Sequence, residues 1–292
     1  MAKQKKYSEL VPYARLSDMQ LWVLGIICVA GYFLYSFLSD GFYQHDEAAH
    51  FISMRRFWED PNSILGTWAK PGFKLIYAVP ALLGHNAVTL FNAVVAAMTV
   101  LFSYRIAEEL DFAIPSLSIP LVALQPFWIQ LAFRNYSEII SACLLAAAIL
   151  LHLRKYHIYA ALLLTYLTLI RQEFYVFILL YGIYLLFKKQ WVPFLLLGVG
   201  PLAYNAWGWI ATGDHLYLIN SVLATSERYS SAYPRQGFQH YFVMSIVIFG
   251  PVVVGGLVYT FTLWIRKHVK PIWIIAVPFL VYFLIHAVFN MQ

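Results

Sequence analysis

Residues 71–84, PGFKLIYAVPALLG, decide how this chain is threaded. The run is apolar but only about 14 residues long. A helix rises 1.5 Å per residue, so crossing a hydrocarbon core of about 30 Å takes about 20 residues. Pro71 suits the first position of a helix, where its missing N–H costs nothing. Gly84-His85-Asn86 provides an end. The expectation is a short helix lying in, or dipping into, the outer interface. Counted as a span, it would reverse every later segment and place RKYH (154–157), KKQ (188–190) and RKHVK (266–270) outside. Lys and Arg concentrate in cytoplasmic loops, so residues 71–84 are not a span.

The class follows from composition. The 292 residues are 61% hydrophobic, 18% aromatic and only 12% charged, with a mean hydropathy of +0.67. Soluble domains are nearer half apolar and about a quarter charged. Long apolar runs broken by Pro and Gly do not suit a β-barrel, which needs alternation over about ten residues. The expected fold is all-α: a polytopic integral membrane protein. The net charge of +6 sits in short clusters between apolar runs, as membrane topology requires, and implies no nucleic acid. Cys28 and Cys143 both lie inside apolar runs, which argues against a structural disulfide or zinc site.

In chain order, residues 1–18 carry Lys3, Lys5, Lys6 and Arg15 and read as a cytoplasmic tail. Residues 19–38 read as a retained first span, because the run ends in SFLSDG without a small-x-small cleavage site. Residues 39–86 form the first outer loop, with juxtamembrane helices. Spans are expected at 87–104, 112–133, 139–153, 158–170, 174–187, 191–210, 241–265 and 272–289, with a polar outer loop at 211–240. That is one membrane domain over 1–292, with about nine spans, the N-terminus cytoplasmic and the C-terminus outside. RIAEELD (105–111) is net acidic and supports this orientation poorly.

With this threading, charge gathers on one side. Asp46, Glu47, Arg55, Arg56, Lys70, Lys74, Arg134, Glu138, Arg171, Glu173, Glu227, Arg228 and Arg235 all fall at or near the outer face. Charges beside a bilayer are costly unless paired or facing water, so they mark functional ground. Arg134 with Glu138, and Arg171 with Glu173, also fit structural ion pairs.

HDEAAH (45–50) fails as a zinc-protease signature, because His45 and His50 are five apart where HExxH needs four. His45-Asp46-Glu47 has the H-x-E of zinc deaminases without P-C-x-x-C. A divalent metal is possible but not indicated. There is no Walker A and no G-x-G-x-x-G. If 46–58 is helical, Phe51, Met54 and Trp58 fall on one face and rest on the membrane, while Asp46, His50 and Ser53 look into a cavity. Carboxylates at a helix start are also favoured by the dipole alone.

Asp46-Glu47 in the first outer loop, Lys70-Pro71 before a short apolar helix, Gly84-His85-Asn86 at its end and, more loosely, RNYSE (134–138) and RQE (171–173) resemble the GT-C glycosyltransferases. The likeness is nearest to lipid A aminoarabinose transferases and protein O-mannosyltransferases, and covers about the first 175 residues. The resemblance implies a polyprenyl-phosphate-linked sugar as donor and an extracytoplasmic glycan, lipid or protein as acceptor. It implies an inverting transfer at the outer face of the plasma or inner membrane, without a nucleotide or other cofactor. Asp46 matches the catalytic aspartate, the general base, with Glu47 beside it. Lys70 matches a lysine that binds the lipid phosphate, and Arg56 and Arg171 are further candidates for that charge. His50, Arg134, Glu138 and Glu173 are cavity candidates. Tyr229 and Tyr233 are candidates for stacking on a sugar, although interfacial anchoring is a common use of Tyr. Members of that family are commonly longer, with more spans or a soluble C-terminal domain. The alternative is a non-catalytic GT-C-like subunit or lipid-linked-sugar binding protein in a larger complex. A transporter lacks support, since no inverted repeat or pair of broken helices shows in corresponding halves.

Overall fold

The computed structural model describes residues 15–39, 45–66, 70–232, 237–266 and 273–289. Among them the chain is helical throughout, with no strand. It divides into two compact units, one of residues 1–124 and 128–218, the other of 125–127 and 219–292.

The larger unit is built around α4 (His85–Glu109), which packs on α1 (Asp18–Ser36), α3 (Pro71–Leu82), α5 (Ser118–Ala123) and α7 (Ser137–Leu153). Small buried residues, Ala93, Ala96 and Ala97, let these neighbours approach α4 closely, as is usual for helices packed in lipid. α1 starts with a capping box: the Gln20 N–H donates to Ser17 Oγ (3.3 Å) and the Ser17 N–H donates to Gln20 Oε1 (2.8 Å). Beyond that cap, α1 exposes Trp22, Ile26, Ile27 and Leu34 and buries only Leu21, Gly25 and Tyr32. A 19-residue apolar helix exposed on most sides fits a segment solvated by lipid. α2 (His45–Arg56) lies on α3, and α8 (His157–Ile170) joins α7 and α3. α9 (Tyr175–Phe187), α10 (Trp191–Leu196) and α11 (Val199–Thr212) complete the unit.

In the smaller unit, α13 (His240–Ile265) packs on α14 (Trp273–Phe289), with Phe242 edge-on to Phe283 at 4.8 Å between centroids. α13 bends by 117° about Gly250, which takes the left-handed φ of 77°. α12 (Tyr217–Ala232) occupies much of the stretch expected to be the outer loop at 211–240.

Among the described residues, three helical stretches are long and apolar enough to cross a membrane: Asp18–Ser36, His85–Glu109 and Trp191–Thr212, the last made of α10 and α11. Counting each of two bent pairs as a span gives up to 5. This fits a helical membrane protein but not the expected count of nine. The shortfall has a local cause. Pro115, Pro120 and Pro126 cut 112–133 into a 3-10 turn, α5 and the short helix α6 (Pro126–Ala132). α8 and α9 have only 14 and 13 residues. Residues 71–82 form a 12-residue helix that is not among the candidate spans.

Candidate functional site

α6 and α7 meet at 108°, and the bend between them, residues 133–136, is the floor of the site. Two buried asparagines hold it. Asn92 of α4 donates through Nδ2 to the carbonyls of Leu131 (2.9 Å) and Arg134 (2.8 Å) and accepts the Tyr77 hydroxyl. Asn135 ties the bend to α2: its N–H donates to Glu47 Oε1 (3.1 Å) and its Nδ2 donates to the Glu47 carbonyl (3.0 Å).

These bonds set the roll of α2. Its buried face is Glu47, His50 and Met54, at i, i+3 and i+7. The expected lipid-facing stripe of Phe51, Met54 and Trp58 is therefore corrected. Met54 is fully buried, and Trp58 Nε1–H donates to the Ala78 carbonyl of α3 (3.1 Å). Asp46 shares the first turn with Glu47 but is exposed, and no hydrogen bond or ion pair engages it among the described residues. His50 meets Phe73 edge to face, 5.3 Å between centroids. Burial, then the nearby charges of Lys70 and Lys74, hold its pKa down at about 2, so its ring is neutral.

Lys70 opens α3 in a left-handed conformation (φ 43°, ψ 54°), followed by Pro71 at the first helical position. A side chain in this region costs about 1–2 kcal/mol. Its ammonium donates to Ser137 Oγ (3.1 Å), at the start of α7. Burial lowers the Lys70 pKa and the Arg171 charge lowers it further, while Glu138, Glu173 and Asp46 oppose them. Those groups are thus its electrostatic neighbours. Arg171, between α8 and the 3-10 turn Gln172–Phe174, donates to Glu138 and to Glu173 (2.9 Å). Tyr136 joins the same cluster. Its pKa is raised to about 12 by burial and by Glu47, Asp46 and Glu138, against Arg134.

One turn into α3 sits Lys74, only 5% exposed. Burial, reinforced by the Lys70 charge, lowers its pKa to about 8. Among the described residues no carboxylate or acceptor pairs with it. α3 comes this close to α8 because residue 72 is glycine. A Cβ there would lie 2.9 Å from Leu169 Cβ, and Tyr166 donates its hydroxyl to the Gly72 carbonyl (2.8 Å).

Of the residues singled out by sequence, Asp46, Lys70, Glu138, Arg171 and Glu173 come together, with His50 buried beneath them and Arg134 at the bend. Glu47 is a buried tie. Arg56 is exposed in the last turn of α2, with no described contact to the cluster. Tyr229 lies in α12 of the other unit; its side chain, like all of Tyr233, is outside the described residues. The sequence placed Lys74 only among the outer-face charges, and Asn135, Tyr136 and Ser137 only within RNYSE, with no individual role. Among the described residues, no group of three His, Cys, Asp or Glu side chains that could hold a metal comes together.

Comparison with protein-family models, with curated proteins and with solved structures yields no match.

Proposed function

We propose that this protein is a membrane glycosyltransferase that moves a sugar from a polyprenyl-phosphate carrier to an acceptor at the outer membrane face. The observation that carries this reading is Asp46, a carboxylate with no hydrogen bond or ion pair among the described residues, in the electrostatic neighbourhood of Lys70 at the start of α3. A carboxylate beside an ammonium is the pair needed for displacement at an anomeric carbon. Asp46 accepts the proton of the attacking acceptor hydroxyl or amine. The bond from the anomeric carbon to the phosphate oxygen breaks with inversion, and its electron pair leaves on the phosphate. Lys70 offsets that charge as it develops, and Lys74, buried and with no counter-charge paired to it among the described residues, is the second cation available to it. Arg171 is already engaged by two carboxylates and acts as a positioning residue for the pocket wall. Glu47, bonded to Asn135, positions α2 and with it Asp46. On the positive-inside principle the RKYH and KKQ turns lie in the cytoplasm, and the Asp46 end faces out.

The second reading, a non-catalytic lipid-linked-sugar binding subunit, is favoured by the same engagement of Glu47, Glu138, Arg171 and Glu173, which makes much of the cluster structural. The two differ at Asp46. Transfer from a labelled polyprenyl-phosphate sugar is compared for wild type and Asp46→Asn at matched expression, with donor binding measured separately. Loss of transfer with binding retained supports the enzyme. Wild-type transfer in the variant removes Asp46 from the chemistry. Donor binding without transfer by either protein moves the assignment to the subunit.

A further inference from the structure

The end of the larger unit remote from Asp46 holds a second concentration of chemistry. Glu138 stands in the first turn of α7 (Ser137–Leu153) and His152 in its last, so at 1.5 Å per residue the two are about 21 Å apart along the helix. α8 runs back from His157 to Ile170, beside Arg171. A cavity of about 360 Å³ lies at the His152 end, lined by His152, Lys155, His157, Tyr184, Lys188 and Gln190.

The lining is cationic. Lys155 and Lys188 are exposed, and among the described residues no Asp or Glu lines the cavity. The acids of the RIAEELD turn are engaged: Glu109 with Arg154 (2.7 Å), Glu108 with Arg105 (2.7 Å) and Asp111 with Arg15 (3.6 Å). The RIAEELD turn, which supported the orientation poorly, is thus balanced by neighbouring arginines. Among the described residues, neither lysine of the cavity forms an ion pair. The ammonium of Lys188 stands 6.0 Å over the ring of Tyr184.

The histidines supply donors. Nδ1 of His152 and Nδ1 of His157 each lie 3.2 Å from the Tyr181 hydroxyl, and the two rings are 5.1 Å apart. That hydroxyl has a single proton. It can donate to one imidazole and must accept from the other, so the imidazole that receives the proton carries its own N–H on Nε2. A donor-bearing, cation-lined cavity without carboxylates is built for an anion. Next to it in sequence, Tyr156, Phe187, Trp191 and Val192 are exposed. Such aromatic and apolar groups belong at the headgroup level of a bilayer.

We propose that this cavity binds a phosphate group, a monoester or diester, presented by the headgroup of an anionic membrane lipid. Basic pockets between helices on the cytoplasmic side are suited to such headgroups. The site is independent of the transfer chemistry at Asp46.

The test uses the full chain in neutral detergent. Thermal unfolding and binding are followed during titration with short-chain phosphatidylglycerol, short-chain phosphatidylcholine or inorganic phosphate. Wild type is compared with Lys155→Gln/Lys188→Gln and with Arg266→Gln, an exposed cation of the other unit. Phosphatidylglycerol is expected to bind and stabilise wild type and Arg266→Gln, and to bind the double variant at least tenfold more weakly. Phosphatidylcholine is expected to do neither. A matching response to inorganic phosphate alone keeps the phosphate site and overturns the lipid as its source. Equal phosphatidylglycerol affinity in wild type and double variant overturns the site. If the double variant does not fold, the two single variants decide. A threefold or greater loss in either supports the proposal, and no loss in both overturns it.

Discussion

Lys74 follows Lys70 by one helical turn, its N–H bonded to the Lys70 carbonyl at 3.2 Å, and the Lys70 charge adds to burial in lowering the Lys74 pKa to about 8. Two cations stacked at a helix start are unfavourable for the dipole as well as for each other. An anion bound between them would relieve both.

That relation sets a pH dependence. Below pH 8 Lys74 is an ammonium in the folded protein. Between pH 8 and its ordinary value of 10.5 the unfolded chain holds this proton and the folded one does not, so stability rises with pH across that window. The cost of the buried charge below pH 8 is on the order of 3 kcal/mol. Lys74→Met is expected to be more stable than wild type at pH 7, with the advantage shrinking towards pH 10.5. Affinity for a polyprenyl phosphate should fall as pH rises through about 8 in wild type and be weaker and flatter in Lys74→Met. Chemical unfolding and lipid binding across pH 6–10.5 check both arms.

Lys70 offers a separation of strain from charge. Glycine tolerates φ 43° without the penalty borne by a side chain. Lys70→Gly should therefore fold with stability within about 1 kcal/mol of wild type, or above it, yet bind the lipid phosphate at least tenfold more weakly. Lys70→Ala removes the same ammonium and keeps the strain, so it should be the less stable of the two. Equal donor affinity in Lys70→Gly and wild type would remove Lys70 from the phosphate site.

His50 gives the fold an acid limit. Its pKa is lowered from 6.5 to about 2, so between those values the unfolded chain binds a proton that the folded chain refuses. Stability is lost as pH falls below 6.5, by about 1.4 kcal/mol per unit from this group alone. His50→Phe, which keeps an aromatic edge against Phe73, should flatten the melting temperature between pH 6.5 and pH 4.5. A slope as steep as in wild type would assign the acid sensitivity elsewhere.

How far the sequence could be read depended on whether a signal is local. Helical class was legible because the 61% hydrophobic residues come in long runs without alternation, and residues 71–84 were legible because their short length agreed with the basic turns that follow. Asp46, Lys70, Glu138, Arg171 and Glu173 could be gathered because charge is scarce and each stands at the end of an apolar run. Glu47 could not be told from Asp46, since its burial comes from Asn135, 88 positions away. Lys74 looked like an interfacial lysine until α3 was seen to press it inside. The nine expected spans counted apolar runs, whereas prolines and tight turns set where a helix stops. The 108° bend at 133–136 rests on side-chain bonds from Asn92 and Asn135, which no periodicity records.

Gly72 connects this packing to the site. Its α-carbon faces α8 so closely that a methyl group would sit 2.9 Å from Leu169 Cβ, 3.0 Å from Ile170 Cγ1 and 3.1 Å from the Leu169 carbonyl carbon. Two of these are side-chain atoms, but the third is backbone and cannot rotate aside. Gly72→Ala must therefore move α3 away from α8, which weakens the Tyr166 bond to the residue 72 carbonyl. Overpacking of this kind costs about 1–3 kcal/mol. Because Lys70 stands two residues before Gly72 and Arg171 directly after Ile170, the shift also separates the cation from the wall of its pocket. The expected result is a lower melting temperature together with weaker donor binding. Tyr166→Phe, which loses only the hydrogen bond, should cost about 0.5–1.5 kcal/mol and leave donor affinity nearly unchanged. If Tyr166→Phe lowers donor affinity as much as Gly72→Ala, the hydrogen bond rather than the close approach positions Lys70.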